Sequence, residues 1–155
     1  MKTITKQAAK KIVKWKYEPP YSMYNMTNDL ENIQELTDGS YFAVYHNYEL
    51  VGYFCYGANA QVPSGMHKGL YLNQNLLDIG LGLRPDLTGK RKGYHFLNTG
   101  LTFGELNYGL SSFRLSVATF NQRAINLYKK AGFSDVATFM NKNGDKEVEF
   151  IVMVK

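Results

Sequence analysis

The chain has 155 residues, enough to bury one core without disulfide staples, and is expected to form a single domain over residues 1–155. Hydrophobic residues at 45% and charged residues at 20% exclude a disordered chain, and the single Cys excludes an internal disulfide. A net charge of +5 admits nucleic acid, a membrane surface or a phosphorylated small molecule as partner and decides among none of them.

Residues 5–16 read as a helix, with Ala8, Ile12 and Trp15 on one side and Lys on the other, ended by Glu18-Pro19-Pro20. Thr27 or Asn28 is a cap for a second helix to about Leu36, with Asp-Gly as its stop. The period then changes to two: Tyr41–His46 and Glu49–Tyr56 flank Asn47-Tyr48 and read as a hairpin. Cys55 lies in its apolar second strand and reads as a buried, inert thiol. Residues 58–68 form a loop, and 76–83, apolar and punctuated by Gly, a buried strand. A basic loop leads into a helix from about Gly89 to Leu106, followed by a strand at 113–119 and a helix at 122–131. A closing hairpin joins 133–140 to 147–154 through a turn at Asn143-Gly144. Two strand–helix–strand crossovers favour parallel pairing inside a mixed sheet, an α/β or α+β arrangement.

Two stretches carry chemistry. In Leu115-Ser116-Val117-Ala118-Thr119-Phe120-Asn121, followed by Gln122 to Phe133, a strand turns at an Asn into an amphipathic helix with a Gly-Phe stop. Tyr128 follows Asn121 by seven residues, close to two helical turns, so the two side chains project from roughly one face. The second stretch runs from Leu81, Gly82 and Leu83 through Thr88, Gly89, Lys90, Arg91, Lys92, Gly93 and Tyr94. Its three cations stand at a helix start that is already positive, at a cost of about 0.3–1 kcal/mol for each exposed charge. An anion seated there reverses the sign of that cost.

Together these stretches resemble the cofactor site of the GNAT superfamily of N-acetyltransferases. The Asn121-to-Tyr128 segment is the more specific half. The basic loop resembles the family's Arg/Gln-x-x-Gly-x-Gly pyrophosphate loop at Gly89, Lys90 and Gly93, and departs from it at Thr88 and Arg91. The resemblance implies a twisted central mixed sheet with a splayed parallel strand pair, flanked by helices, and acetyl-CoA as co-substrate. It implies that the backbones of Leu81 and Leu83 pair with the pantetheine arm, that Asn121 holds that arm, and that Tyr128 reprotonates the departing thiolate. It also implies transfer to a primary amine of a small molecule, peptide or protein N-terminus. The alternative is a GNAT-fold acyl-CoA-binding sensor with weak or no catalysis, kept open by Arg91 and the unassigned base.

An amine must be neutral to attack, so a base or a water path has to remove its proton. Asp78 is the candidate base, with strand capping or pairing to a Lys as its competing role; Glu35 and Glu49 remain from other directions. Ser116 stands where some family members carry a Glu and cannot do that work. Trp15, Tyr21 and Tyr24 are candidates to wall the acceptor groove, or are packing residues. His46, His67 and His95 have no ligand spacing, so no metal is expected. Neither nucleic acid nor membrane is expected as a partner, a cytoplasmic monomer or homodimer is, and the acceptor itself stays open.

Overall fold

Local chemistry starts and stops the elements. Thr5 caps α1 (Lys6–Ile12) by accepting from the Ala8 N–H, and Asp29 caps α2 (Leu30–Leu36) by accepting from the Asn32 N–H. Asp29 takes the cap in place of the expected Thr27 or Asn28, because the Thr27 hydroxyl bonds the Asp29 carboxylate and is itself reached by the Asn32 amide. In strand form follow β1 (Lys2–Thr3), β2 (Tyr41–His46), β3 (Glu49–Tyr56), β4 (Leu77–Leu83), β5 (Phe113–Ala118), β6 (Ser134–Asn143) and β7 (Lys146–Val154). The remaining helices are α3 (Pro63–His67), α4 (Gly93–Tyr108) and α5 (Gln122–Lys130). The computed structural model describes residues 1–143 and 145–155. The expected turn at Asn143-Gly144 therefore falls partly on Gly144, outside the described residues.

The strands form the expected mixed sheet, seven strands in the order β1-β2-β3-β4-β5-β7-β6, with helices about it and one parallel pair. That pair is β4 with β5, through Leu77↔Phe113 and Asp78↔Arg114. The β2–β3 hairpin turns at Asn47 and Tyr48, both with positive φ (50° and 66°) as a tight right-twisting hairpin requires.

The chain divides into two compact units, Met1–Cys55 with Leu81–Gly93, and Tyr56–Gly80 with Tyr94–Lys155. In the first, Ala9, Ile12, Val13, Leu36 and Phe54 are buried to 2% exposure or less. In the second, Ile79, Leu97, Ala118, Val152 and Met153 are equally buried. Gly104 of α4 lies so close to Phe113 and Leu77 that an added Cβ would stand 3.0 and 3.2 Å from them. The helix therefore covers the Leu77–Phe113 face of the pair. Side chains alternate along a strand, so Asp78, Arg114 and Ser116 point to the opposite face.

Several expectations shift. Helix α1 ends at Ile12, not Lys16: the N–H groups of Lys14 and Trp15 tighten onto Lys11 and Ile12, and Trp15 leaves to stack on Tyr53 at 6.2 Å. Helix α4 begins at Gly93, because positive φ at Gly89 (72°) and Arg91 (60°) cannot continue a right-handed helix. The stretch expected as loop at 58–68 contains α3, started by Pro63, and β1 is an added edge strand on β2.

Candidate functional site

In the first unit, β4 ends under a cover of aromatic side chains. The Tyr53 ring packs on Gly82 so closely that a Cβ there would lie 2.3 Å from it. The Tyr17 hydroxyl donates to the Leu83 carbonyl at 2.8 Å. Desolvation pushes the Tyr17 phenol up to about 12, so it remains a neutral donor at any working pH. One of the Leu83 carbonyl's two acceptor positions is thus already taken, a partner that the sequence reading did not foresee. Ile12, Trp15, Tyr17, Tyr24, Met26 and Tyr53 surround a depression beside these atoms. Of the three expected acceptor residues, Trp15 and Tyr24 line it; Tyr21 is half-buried in the 3₁₀ turn Tyr21–Tyr24 and is not among the lining residues.

Beyond Leu83 the chain is fastened before the basic loop. Arg84 donates its N–H to the Val51 carbonyl at 2.8 Å, and its guanidinium grips Asp86 at 2.6 and 3.1 Å. That contact holds the Asp86 carboxyl below the usual carboxylate range. Glu49, one of the alternative bases, is exposed and 3.5 Å from Arg84. The Thr88 hydroxyl turns back to the Pro85 carbonyl at 2.7 Å, so at this position the side chain serves the turn. Lys90, Arg91 and Lys92 are all exposed. Arg91 adopts the left-handed backbone (φ 60°) that glycine takes without penalty. The sequence places Arg91 where the resembled loop carries Gly, and the backbone keeps the glycine conformation despite the side chain.

In the second unit, Asp78 and Arg114 are 5% and 3% exposed and form a bidentate pair: Nε to Oδ1 at 2.6 Å and Nη2 to Oδ2 at 2.7 Å. Gln61 Nε2 adds a third bond to the carboxylate at 2.8 Å. Arg114 Nη2 also donates to the Tyr71 carbonyl at 3.1 Å, and its guanidinium lies 5.3 Å from the Tyr71 ring centroid. Both partners are satisfied, as buried charges must be. Three donors, two of them on one guanidinium, thus occupy the carboxylate that the sequence offered as a candidate base. The carboxylate pairs with Arg114, where the sequence reading named strand capping or a Lys as the competing role. Sequence reasoning missed Arg114 because nothing local connects residues 78 and 114.

Ser116, next on the same face of β5, shares a 2.6 Å hydrogen bond with the Tyr71 hydroxyl, which also accepts from the Val62 N–H at 3.3 Å. Asn121 caps α5, its Oδ1 accepting from the Ala124 N–H at 3.2 Å. At the other end, Gly132 (φ 101°) allows the Phe133 N–H to reach the Tyr128 carbonyl and the Gly132 N–H to reach the Lys129 carbonyl, each at 3.0 Å. This is a Schellman stop, and the ring contact that usually accompanies it is Tyr128 against Phe133, edge-on at 6.0 Å. Tyr128 is 8% exposed, so it has a packing role whatever its hydroxyl does. Tyr94, in the first turn of α4, holds the Lys130 ammonium 4.9 Å from its ring centroid, which adds a cation that the sequence reading did not single out. The first turn of α4 carries no acidic residue.

Among the described residues no group of three His, Cys, Asp or Glu could hold a metal ion, and no helix is long and apolar enough to cross a membrane. The sequence model of the acetyltransferase (GNAT) family matches residues 7–133. Among solved structures the chain is similar to a chimera of the Vibrio cholerae spermidine N-acetyltransferase SpeG with hSSAT, at 16% identity and TM-score 0.74, covering 99% of this chain and 92% of that one. It is also similar to a GNAT-family acetyltransferase from Bacillus anthracis, at 11% identity and TM-score 0.75, with the same two coverages of 99% and 92%. A GNAT-family acetyltransferase from Streptococcus pneumoniae aligns at 14% identity and TM-score 0.66, covering 99% and 96%. No curated protein matches the chain in sequence.

Proposed function

The chain belongs to the acetyltransferase (GNAT) family, and on that premise we propose that it is an acetyl-CoA-dependent N-acetyltransferase acting on a primary amine of a small molecule, peptide or protein N-terminus. Acetyl-CoA supplies the activated acyl carbon and a thiolate leaving group. The observation that carries the reading is the backbone of the basic loop. Arg91 holds φ 60° and Gly89 φ 72°, so the turns needed to aim N–H groups at a phosphate persist although Arg stands in place of Gly. Exposed Lys90, Arg91 and Lys92, and a sixteen-residue α4 without acid in its first turn, suit a pyrophosphate in charge.

In this reading residues 88–94 hold the phosphates. The backbone of Leu81, Gly82 and the Leu83 N–H orient the pantetheine arm, with Tyr17 already occupying one acceptor position of the Leu83 carbonyl. Asn121, at the start of α5, holds the arm's amide. Tyr128 gives its phenolic proton to the sulfur as the C–S bond breaks, so that coenzyme A leaves as the thiol, and the phenolate regains a proton from water. The amine's proton leaves by water, because the Asp78 carboxylate is committed to Arg114 and Gln61. That same commitment favours a second reading, an acyl-CoA-binding sensor with little or no turnover.

Incubation with acetyl-CoA and a panel of primary amines, following free thiol, separates the two. Amine-dependent thiol release is expected; thermal stabilisation by acetyl-CoA without release on any amine selects the sensor. In the active protein Tyr128→Phe keeps the ring against Phe133 and removes only the hydroxyl, so turnover is expected to fall about ten-fold or more with acetyl-CoA affinity retained. Unchanged turnover removes Tyr128 from the chemistry.

A further inference from the structure

Asp86 is the only acidic residue between Asp78 and Glu105, and it stands at the root of the basic loop. A free carboxylate there opposes a phosphate in two ways: it repels the anion, and it competes for the nearest ammonium. Arg84 meets that carboxylate with a two-bond fork, Nε to Oδ1 at 2.6 Å and Nη2 to Oδ2 at 3.1 Å. The remaining nitrogen, Nη1, donates to the Leu50 carbonyl at 3.1 Å and lies 3.5 Å from the Glu49 carboxylate. The guanidinium is thus anchored on β3 at one side and turned to Asp86 at the other. Hydrogen bonding from Arg84 is the main cause that holds the Asp86 carboxyl below its ordinary range. Lys90 lowers it further by charge alone, so Asp86 lies within electrostatic reach of the loop's first cation.

Resting on the reading above that residues 88–94 hold phosphates, we propose that Arg84 is a positioning residue for the cofactor: it ties back and neutralises Asp86, so that Lys90 is left to a phosphate and not to the chain's own carboxylate. Arg84 itself is not a fourth phosphate ligand, because its guanidinium is spent on Asp86, Glu49 and the Leu50 carbonyl. A Lys could not replace it fully, since one ammonium cannot grip both carboxylate oxygens in a plane and reach Leu50 as well. The turn does not depend on the side chain. The Arg84 N–H bonds the Val51 carbonyl at 2.8 Å, the Leu87 N–H bonds the Arg84 carbonyl at 2.9 Å, and the Thr88 hydroxyl bonds the Pro85 carbonyl at 2.7 Å. All three bonds are independent of the Arg84 guanidinium, so replacing that side chain changes charge while the turn keeps its backbone.

The test titrates coenzyme A calorimetrically into four proteins: unaltered, Arg84→Met, Asp86→Asn, and the two substitutions combined. At low salt Arg84→Met should weaken coenzyme A by about five-fold, because it sets one carboxylate free beside the phosphates. That loss should shrink at about 1 M salt, where charges a few ångströms apart are screened. The combined variant should return to within about two-fold of the unaltered protein, since the carboxylate that Arg84 restrains is gone. Asp86→Asn alone should bind at least as tightly as the unaltered protein. A bracing role without this electrostatic one predicts no such recovery, so a combined variant as weak as Arg84→Met overturns the proposal. Equal affinity of Arg84→Met and the unaltered protein also overturns it, and leaves the phosphate loop standing. If the unaltered protein does not bind coenzyme A, the phosphate loop itself fails and the proposal falls with it.

Discussion

The two halves of β4 are built on opposite principles. Leu77–Gly80 belongs to the second unit and is anchored by charge, with Asp78 buried against Arg114 and Gln61. Leu81–Leu83 belongs to the first unit and is covered by neutral groups, the Tyr53 ring on Gly82 and the Tyr17 hydroxyl on Leu83. The contrast separates a residue's type from its availability. A carboxylate on the strand expected to carry the cofactor suggests a base, yet it sits buried in a bidentate pair with Arg114. The half without an ionisable side chain is the one whose backbone is proposed to orient the cofactor.

The largest effect expected from breaking this contrast is in the charged half. Arg114→Met strands the Asp78 carboxylate in a buried site and should cost about 3–5 kcal/mol in urea denaturation. Adding Asp78→Leu should recover much of that loss, since neither charge is then buried alone. A loss under about 1 kcal/mol for the single variant would show that the pair is not buried in solution. In the neutral half, Gly82→Ala drives a methyl into the Tyr53 ring, with an expected cost of about 1–3 kcal/mol and a shift in Trp15 emission as Tyr53 moves. Wild-type stability and emission in that variant would contradict the close packing.

Smaller effects sharpen the loop beyond the strand. Arg91→Gly relieves a left-handed residue and should stabilise by up to about 1 kcal/mol, while weakening coenzyme A through the lost charge. Destabilisation would mean that the Arg91 side chain carries packing that offsets its backbone cost. The smallest effect concerns Glu35 on α2, whose carboxyl is raised by burial first and by Asp38 and Glu31 next. With its folded value above the unfolded one, its contribution is fully present below the unfolded value and is lost as pH rises through the folded value. Glu35→Gln should therefore stabilise slightly at pH 7 and flatten the melting temperature between pH 4 and 7; an unchanged slope would place the titration elsewhere.

What was legible in the sequence was local. The Asn121 cap, the Gly132-Phe133 stop, the Asn47-Tyr48 hairpin and the β4 span depend on neighbours within a few residues, and each was read within a residue or two. What was not legible was set by contacts across long separations. The end of α1 is drawn back by Trp15 stacking on Tyr53, and β1 has two residues, too few to show a period. The start of α4 moves to Gly93 because Arg91 takes a backbone conformation that its side chain gives no hint of. The candidate site divides the same way. The loop and the Asn121–Tyr128 pair stand out as motifs, whereas the Asp78–Arg114 pair and the Tyr17–Leu83 bond join residues 36 and 66 positions apart.

Calorimetric titration of coenzyme A into the unaltered protein, and into protein with Lys90, Arg91 and Lys92 replaced by Ala, tests the central claim most directly. One-site saturable heat is predicted for the first and a much weaker isotherm for the second, with the difference shrinking as salt is raised. No heat with the unaltered protein, or identical isotherms for the two, would contradict it.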